Sequence, residues 1–189
     1  GTHHSACPRR RTHAFWCRSS RFLWQCPSVE IRMFVLERFV CAQNAVLDQV
    51  RSELGSGRKK THWMWFVFPQ LRGLGHSRTS HHFGLASLEE ARAYLAHPLL
   101  GPRLLECCQL VLQVEGKTAH QIFGDPDDAK FHARMTLFAT TRVLPFTFEE
   151  ALRRYFGGER HPPTMALLSE AQPEGSAVRG SSPQCDSDR

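Results

Sequence analysis

Apolar residues recur at three- and four-residue spacing through most of the segment 33–168, which is the period of an amphipathic helix. The first run predicts one helix over residues 36–54, with Gly55 after it as a left-handed cap. No segment alternates with period two for long enough to require a sheet, although residues 64–68 have the composition of a strand. The pattern predicts an all-α fold, a single compact domain of about six helices.

Capping residues mark several helix boundaries. Residues 87–90 and 147–150 both have the Ser/Thr-x-x-Glu spacing of a capping box. Asp125 is an N-cap candidate before Pro126, with two carboxylates following in the first turn. His97-Pro98 should end the helix that Ser87 begins. Further helices are predicted over residues 98–116, 118–123 and 164–168.

The two ends of the chain differ in composition from the middle. Residues 1–32 contain six Arg against one Glu, a net charge of +5, and residues 169–189 are rich in Gly, Ser, Pro and Asp. We predict disordered extensions at 1–32 and 169–189 around one helical domain at 33–168. The Arg-rich segment resembles a mitochondrial transit peptide but lacks an amphipathic period, so we expect a cytoplasmic location.

Net charge and cysteine spacing exclude several classes of function. Of the net charge of +6, the segment 33–168 carries only +3, a weak field that argues against nucleic acid as a partner. No apolar run approaches the roughly 18 residues of a membrane span. The seven Cys include no Cys-x-x-Cys pair, so reduced thiols are expected and no zinc module. Helix capping explains Asp125, Asp127 and Asp128 better than a metal does, and no cofactor is predicted.

Residues 57–75 contain the strongest candidate site, because they combine cations, two Trp, a His and a Gln beside a Pro/Gly-rich turn. Indoles offer a stiff apolar surface, and lysine, imidazole and amide groups add directional polar contacts. His62 is the candidate catalytic acid or base, since an ordinary imidazole titrates near neutral pH. The predicted ligand-binding residues are Lys60, Trp63, Trp65, Gln70, Gly75, Ser77, Lys130 and Arg134.

Each candidate also has a structural alternative. Lys130 and Arg134 are four residues apart and share a helical face, which adds two cations to the site only if it turns inward. Ser77 is a candidate nucleophile or ligand donor without a visible base. The remaining alternatives are core packing for Trp63 and Trp65, a hydrogen-bonded packing role for His62, turn geometry for Gln70 and Gly75, and a solvated helix end for Lys60.

The run Lys-Thr-His-Trp-Met-Trp-Phe-Val-Phe-Pro-Gln at 60–70, followed by Gly73-Leu74-Gly75 and Ser77, resembles the signature of the domain-of-unknown-function family 1810. Further matching segments follow in order across 33–168. The resemblance implies a small, mainly helical protein without an established biochemical role. The chain departs from the family pattern at Ala133-Arg134, where the pattern has two serines, and at His161, where it has an Asp.

Two function classes follow. The first is a pocket for a small anionic, partly aromatic ligand such as a nucleotide or an ADP-ribose-like compound. There an indole stacks, Lys60 and Arg134 pair the charge, and His62 with Gln70 orients the ligand or transfers a proton. Whether the domain is an enzyme stays open; hydrolytic or N-glycosidic chemistry is the form that His62 would fit. The alternative is a protein-interaction module whose aromatic run forms a groove for a peptide or helix, with no partner indicated.

Overall fold

The computed structural model describes residues 35–143 and 146–171, and in those ranges it contains ten α-helices and no strand. In the same ranges, Leu71 and Leu85 form an isolated parallel β-bridge. The all-α prediction is confirmed, with more helices than predicted. The helices are α1 (Glu37–Asn44), α2 (Leu47–Gly55), α3 (Met64–Val67), α4 (Arg78–His82), α5 (Leu88–Ala96), α6 (Leu100–Gln113), α7 (Ala119–Phe123), α8 (Asp127–Thr140), α9 (Thr147–Phe156) and α10 (Pro162–Glu170).

The predicted extensions fall mostly outside the described residues. Residues 1–32 lie outside them entirely, and so does the predicted tail from residue 172 onward. The first residues of that tail are helical, because α10 continues to Glu170. None of the described helices is both long enough and apolar enough to cross a membrane.

The first predicted helix is two helices. A turn at Ala45 and Val46 separates α1 from α2, and the apolar period continues through it because both helices pack on the same core. The prediction for Gly55 is wrong: Gly55 belongs to α2, and Gly57 is the residue with positive φ, +64°. A Cβ at Gly57 would lie 2.7 Å from the Val114 side chain, so the turn is close as well as left-handed.

The capping prediction for α5 is half correct. The Ser87 hydroxyl accepts a hydrogen bond from the Glu90 backbone N–H (3.3 Å). The Glu90 carboxylate does not complete the box, because it accepts from the Ala86 N–H (2.7 Å) and pairs with the Arg38 guanidinium (2.7 Å). Glu90 therefore ties α1 to the start of α5 instead of closing its own first turn.

Two other helix starts lack the predicted side-chain caps. Pro126 is the N-cap of α8, so the Asp125 side chain does not cap it. Thr147 is already the first residue of α9, whose N-cap Phe146 makes no side-chain hydrogen bond. By contrast, Thr118 and Gln121 form a complete capping box at α7, where only a short helical turn was predicted.

Helix α8 lies at the centre of the domain and packs against α5, α7, α9 and α10. Its core face carries Phe131, whose ring stacks on Phe123 with centroids 4.5 Å apart and meets Phe68 edge-on at 5.4 Å. Helix α6 forms the second layer, against α2, α5 and α9. Burying each such ring stabilises the fold by about 1.5–3 kcal/mol, so this cluster fixes the signature segment (residues 60–70) against α8.

Candidate functional site

The signature segment is anchored in the core. Trp63, Met64, Val67 and Phe68 are buried, and the segment forms the short helix α3 instead of a strand. The i, i+4 spacing of Met64 and Phe68 places both side chains on one side of that turn. Trp63 is 1% exposed, so in this structure its ring is part of the core. The second indole, Trp65, is half-buried, so part of its ring remains exposed.

Buried Glu53 on α2 holds the start of the signature segment in place. Its carboxylate accepts hydrogen bonds from the backbone N–H of Lys60 (2.8 Å) and of Thr61 (3.1 Å), from the Thr61 hydroxyl (2.7 Å) and from the Trp63 indole N–H (2.8 Å). Burial by itself would raise the pKa of Glu53, but these hydrogen bonds outweigh burial and lower the pKa to about 2. The charged carboxylate therefore fixes the path of the loop at neutral pH.

Gln43 and Tyr94 hold the other end of the segment. The Gln43 amide donates to the Phe66 carbonyl (2.7 Å) and to the Tyr94 hydroxyl (2.9 Å). Burial raises the pKa of the Tyr94 hydroxyl well above its ordinary value, so it stays protonated. The last carbonyl groups of a short helix need such partners. Polar contacts therefore fix both ends of the segment before it reaches Gln70.

A cavity of about 250 Å³ lies where the end of the signature segment meets α8 and the start of α10. We call it the α8–α10 pocket. Its wall is mainly apolar, with three polar side chains, a composition typical of small-molecule sites. The lining residues are Gln70, Leu74, Pro126, Ala129, Lys130, Ala133, His161 and Pro163.

Lys130 belongs to a compact group of charges at the edge of this pocket. The Asp127 carboxylate pairs with the ammonium groups of both Lys59 and Lys130, each at 2.7 Å. Burial alone would raise the pKa of Asp127, but the two lysines lower it, so Asp127 is ionised. The Lys130 ammonium also lies 5.5 Å from the centroid of the Trp65 ring. Trp65 therefore flanks the pocket through Lys130.

Arg134 follows the pocket residue Ala133 on α8 and is unusual because it combines full burial with a charge that is unpaired in the described residues. It is 0% exposed, and its Nε, Nη1 and Nη2 atoms all lack a hydrogen-bond partner in that part of the chain. Burial lowers the pKa of Arg134 to about 9, partly offset by Asp127, so the side chain remains a cation at neutral pH. Long helical side chains point toward the helix N-terminus, which directs this guanidinium along α8 toward Lys130 and Asp127.

His161 forms the opposite side of the pocket. Its backbone N–H donates to the Thr136 hydroxyl (2.9 Å), and its Nδ1 lies 2.9 Å from the Thr164 hydroxyl. Burial and then the neighbouring His132 lower the pKa of His161, so the imidazole is neutral at neutral pH. These contacts hold the ring between α8 and α10.

The turn after the signature segment brings backbone close to Gln70. A Cβ at Gly75 would lie 2.9 Å from the Gln70 amide nitrogen and 2.8 Å from Ser80 Oγ. Gly75 thus allows the loop to close over Gln70, which is 7% exposed. Ser77 is the N-cap of α4 and accepts from the Ser80 N–H (3.0 Å), which gives this hydroxyl a structural role.

The structure brings together only part of the predicted site. Gln70 and Lys130 line the pocket, with Gly75 beside Gln70 and Trp65 beside Lys130. Arg134 follows the lining residue Ala133 on α8 but does not itself line the pocket. Lys60 and His62 are exposed and do not line it; the His62 ring lies 6.4 Å from the Trp65 ring. The inward-facing lysine of the basic cluster is Lys59, not Lys60.

Sequence analysis missed His161, Pro126 and Ala133 as pocket residues. His161 and Ala133 stood out in the sequence only as departures from the family pattern, and both line this pocket. The sequence gives no clear signal for Lys59, because a run of three cations at 58–60 does not indicate which side chain turns inward.

A larger cavity, about 360 Å³, lies between the Leu71–Leu85 bridge region, α5 and the end of α10. Its charged side chains Arg72, Glu89 and Glu170 are exposed, so it contains no desolvated charge of the kind seen at Arg134. Within residues 35–143 and 146–171, no group of three His, Cys, Asp or Glu is placed to hold a metal ion.

Comparisons with known proteins agree with the observed fold. The family profile described as protein of unknown function (DUF1810) matches residues 33–168. The chain is also similar to the crystal structure of the conserved hypothetical protein Rv1873 from Mycobacterium tuberculosis. The identity is 54%, the match covers 71% of this chain and 96% of that chain, and the TM-score is 0.70. None of the curated proteins matches significantly. The chain therefore belongs to the DUF1810 family.

Proposed function

We propose that this protein binds a small anionic ligand, of the nucleotide or ADP-ribose-like class, in the α8–α10 pocket. The observation that carries the proposal is the Arg134 guanidinium, fully buried with three unpaired nitrogen atoms. A buried cation without a partner costs several kcal/mol, about 3–5 kcal/mol in the pairs from which one member has been removed. A ligand anion supplies the missing partner.

The position of Lys130 supports this assignment. Lys130 is on the same face of α8 as Arg134 and lines the pocket, so an anion entering there meets an ammonium group first. Arg134 is fully covered, so contact with it requires a neighbouring side chain to move aside. Lys130 is one-third exposed, so such a movement is local.

The rest of the wall suits a ligand with one charged end. Leu74, Pro126 and Pro163 give apolar surface, while the Gln70 amide and the His161 imidazole provide hydrogen bonds. Trp65 is the indole best placed to stack on a part of the ligand that extends out of the pocket past Lys130. His62 lies beyond Trp65, so we assign no reaction to it.

The interaction-module alternative stays a prediction. Trp65 and Phe66 are half-buried, and within residues 63–68 they alone offer surface to a partner. No observation in the described residues favours a peptide over a small ligand there.

The test is a binding measurement by calorimetry and thermal unfolding with inorganic phosphate, AMP and ADP-ribose. A ligand present at 100 times its Kd should raise the free energy of unfolding by about 2.7 kcal/mol. Arg134→Met and Lys130→Met should each weaken binding and reduce the effect, since each deletes a cation of the site. Arg153→Met is the matched control, because Arg153 is exposed on α9.

Absence of binding by all three probes, or equal binding by wild type and Arg134→Met, would contradict the proposal. Retention of the fold in each variant is checked by circular dichroism, so that a loss of binding reports on the site.

A further inference from the structure

We infer that the α8–α10 pocket selects the dianionic end of a phosphomonoester over a phosphodiester or a carboxylate. The inference rests on the proposed function and narrows it to one ligand chemistry. It follows from the charges around the pocket, from the absence of a carboxylate among its lining residues, and from its size.

The group of charged side chains at the edge of the pocket has a net positive charge. One carboxylate, Asp127, lies between the ammonium groups of Lys59 and Lys130. Those three side chains leave one positive charge uncompensated, and Arg134 adds a second one with no partner in the described residues. Lys130 lines the cavity and Arg134 lies about one turn further along α8, so an anion that compensates both cations carries two negative charges.

Neighbouring acidic groups do not change that balance. The lining residues include no Asp or Glu. Asp128 lies 2.9 Å from the exposed His120 ring, Glu149 pairs with Arg160, and Asp125 is exposed to solvent. The exposed Asp125 carboxylate is screened by solvent, while Asp128 and Glu149 pair with His120 and Arg160 and do not line the pocket.

His161 contributes a hydrogen bond without adding a charge. Its Nδ1 is engaged with the Thr164 hydroxyl, which fixes the ring where it lines the pocket. Its lowered pKa keeps the imidazole neutral at neutral pH. A neutral imidazole and the Gln70 amide can hydrogen-bond to phosphoryl oxygens while the two cations compensate the charge.

The size of the pocket points to the same ligand. Its volume of about 250 Å³ is just below the range of about 300–1,000 Å³ for sites that enclose drug-sized ligands. A phosphoryl group with a short substituent fits, whereas a pyrophosphate-linked dinucleotide would extend well outside. A terminal phosphomonoester carries two charges on one small group, whereas a phosphodiester and a carboxylate carry one.

The experiment compares methyl phosphate with dimethyl phosphate, which differ by one methyl group and one negative charge. Calorimetry is done at about pH 7.5, above the second phosphate pKa of about 6, so that methyl phosphate is a dianion. We expect methyl phosphate to bind at least about tenfold more tightly than dimethyl phosphate. Acetate, a monoanionic carboxylate, should bind no better than dimethyl phosphate.

Substitutions distinguish selectivity for a dianion from anion binding in general. Arg134→Met and Lys130→Met should each reduce the preference for methyl phosphate to about twofold or less, because each leaves one uncompensated charge. Arg153→Met should leave it unchanged. Equal binding of methyl and dimethyl phosphate, or an unchanged preference in Arg134→Met, overturns this inference but not anion binding. Failure of every probe, inorganic phosphate included, overturns the proposed function as well.

Discussion

Glu53 and Arg134 are two buried charged residues with opposite surroundings. The Glu53 carboxylate accepts hydrogen bonds from Lys60, Thr61 and Trp63, whereas the Arg134 guanidinium has no partner in the described part of the chain. A buried charge with a structural role normally has hydrogen-bond partners, as Glu53 has. Arg134 has none among the described residues, so it is a residue retained at a cost to stability.

This contrast gives a stability prediction for Arg134. Without ligand, Arg134→Met should raise the free energy of unfolding by about 1–4 kcal/mol, because an apolar side chain of similar length removes an uncompensated buried charge. Urea unfolding measures the change, with Arg153→Met as the surface control. A large loss of stability in Arg134→Met would mean that the guanidinium has a structural partner.

Glu53 should behave in the opposite way. Glu53→Ala leaves the buried Trp63 indole N–H and the part-buried donors of Lys60 and Thr61 without their acceptor, and should lower the free energy of unfolding by about 3–5 kcal/mol. Exposed Glu115→Ala is the control and should change it by less than about 0.5 kcal/mol. Similar effects of the two substitutions would show that Glu53 does not anchor the loop.

The lowered pKa of Glu53 also predicts an acid limit. A carboxylate with a depressed folded-state pKa stabilises the fold above its unfolded pKa, 4.5, and loses that contribution as the pH falls toward about 2. Stability measured by urea unfolding should therefore fall through this range in wild type. In a Glu53→Gln variant the fall should be shallower, and an equally steep fall would assign it to other carboxylates.

Single residues also show what the sequence could reveal of the site. The spacing of Lys130 and Arg134 correctly predicts that they share a face, because helical geometry is local. Nothing local predicts that Lys59 turns inward while Lys60 turns out, since that depends on how Glu53 binds the loop.

At the level of helices, the periodic pattern recovers most elements, and errors concentrate at their ends. His97 does end α5, as predicted from Pro98, because the steric effect of proline is local. Glu90 leaves its predicted cap to bind Arg38, a contact between residues 52 positions apart. Such long-range competition cannot be read from a four-residue motif.

The contact between α5 and α6 offers a test at this scale. A Cβ on Gly101 would lie 2.0 Å from the Leu95 carbonyl oxygen, so the backbones approach as closely as glycine permits. Gly101→Ala should lower the free energy of unfolding by about 3 kcal/mol or more. Gly55→Ala is the matched control, because nothing lies within 4 Å of that Cβ. Comparable urea midpoints for the two variants would refute the close approach.

For the whole molecule, composition and periodicity predict the fold class, but not the pocket. Its wall combines Gln70, the start of α8, and His161, which are far apart in sequence and meet only because α8 lies at the centre of the domain. The predicted site lay mainly in residues 60–77, with Lys130 and Arg134 added from α8, and much of the signature segment is core.

Helix α10 supplies one wall of the pocket and packs chiefly against α8. An element with few neighbours opens before the rest of a domain does, so the amides of α10 should exchange with deuterium faster than those of α6. An anion held between Lys130 and His161 would join α10 to α8 and slow that exchange, while leaving α6 unaffected. The lifetime of the complex would then depend on how often α10 detaches from α8, so the release rate of the ligand becomes a property of that helix contact as much as of the charges that hold it.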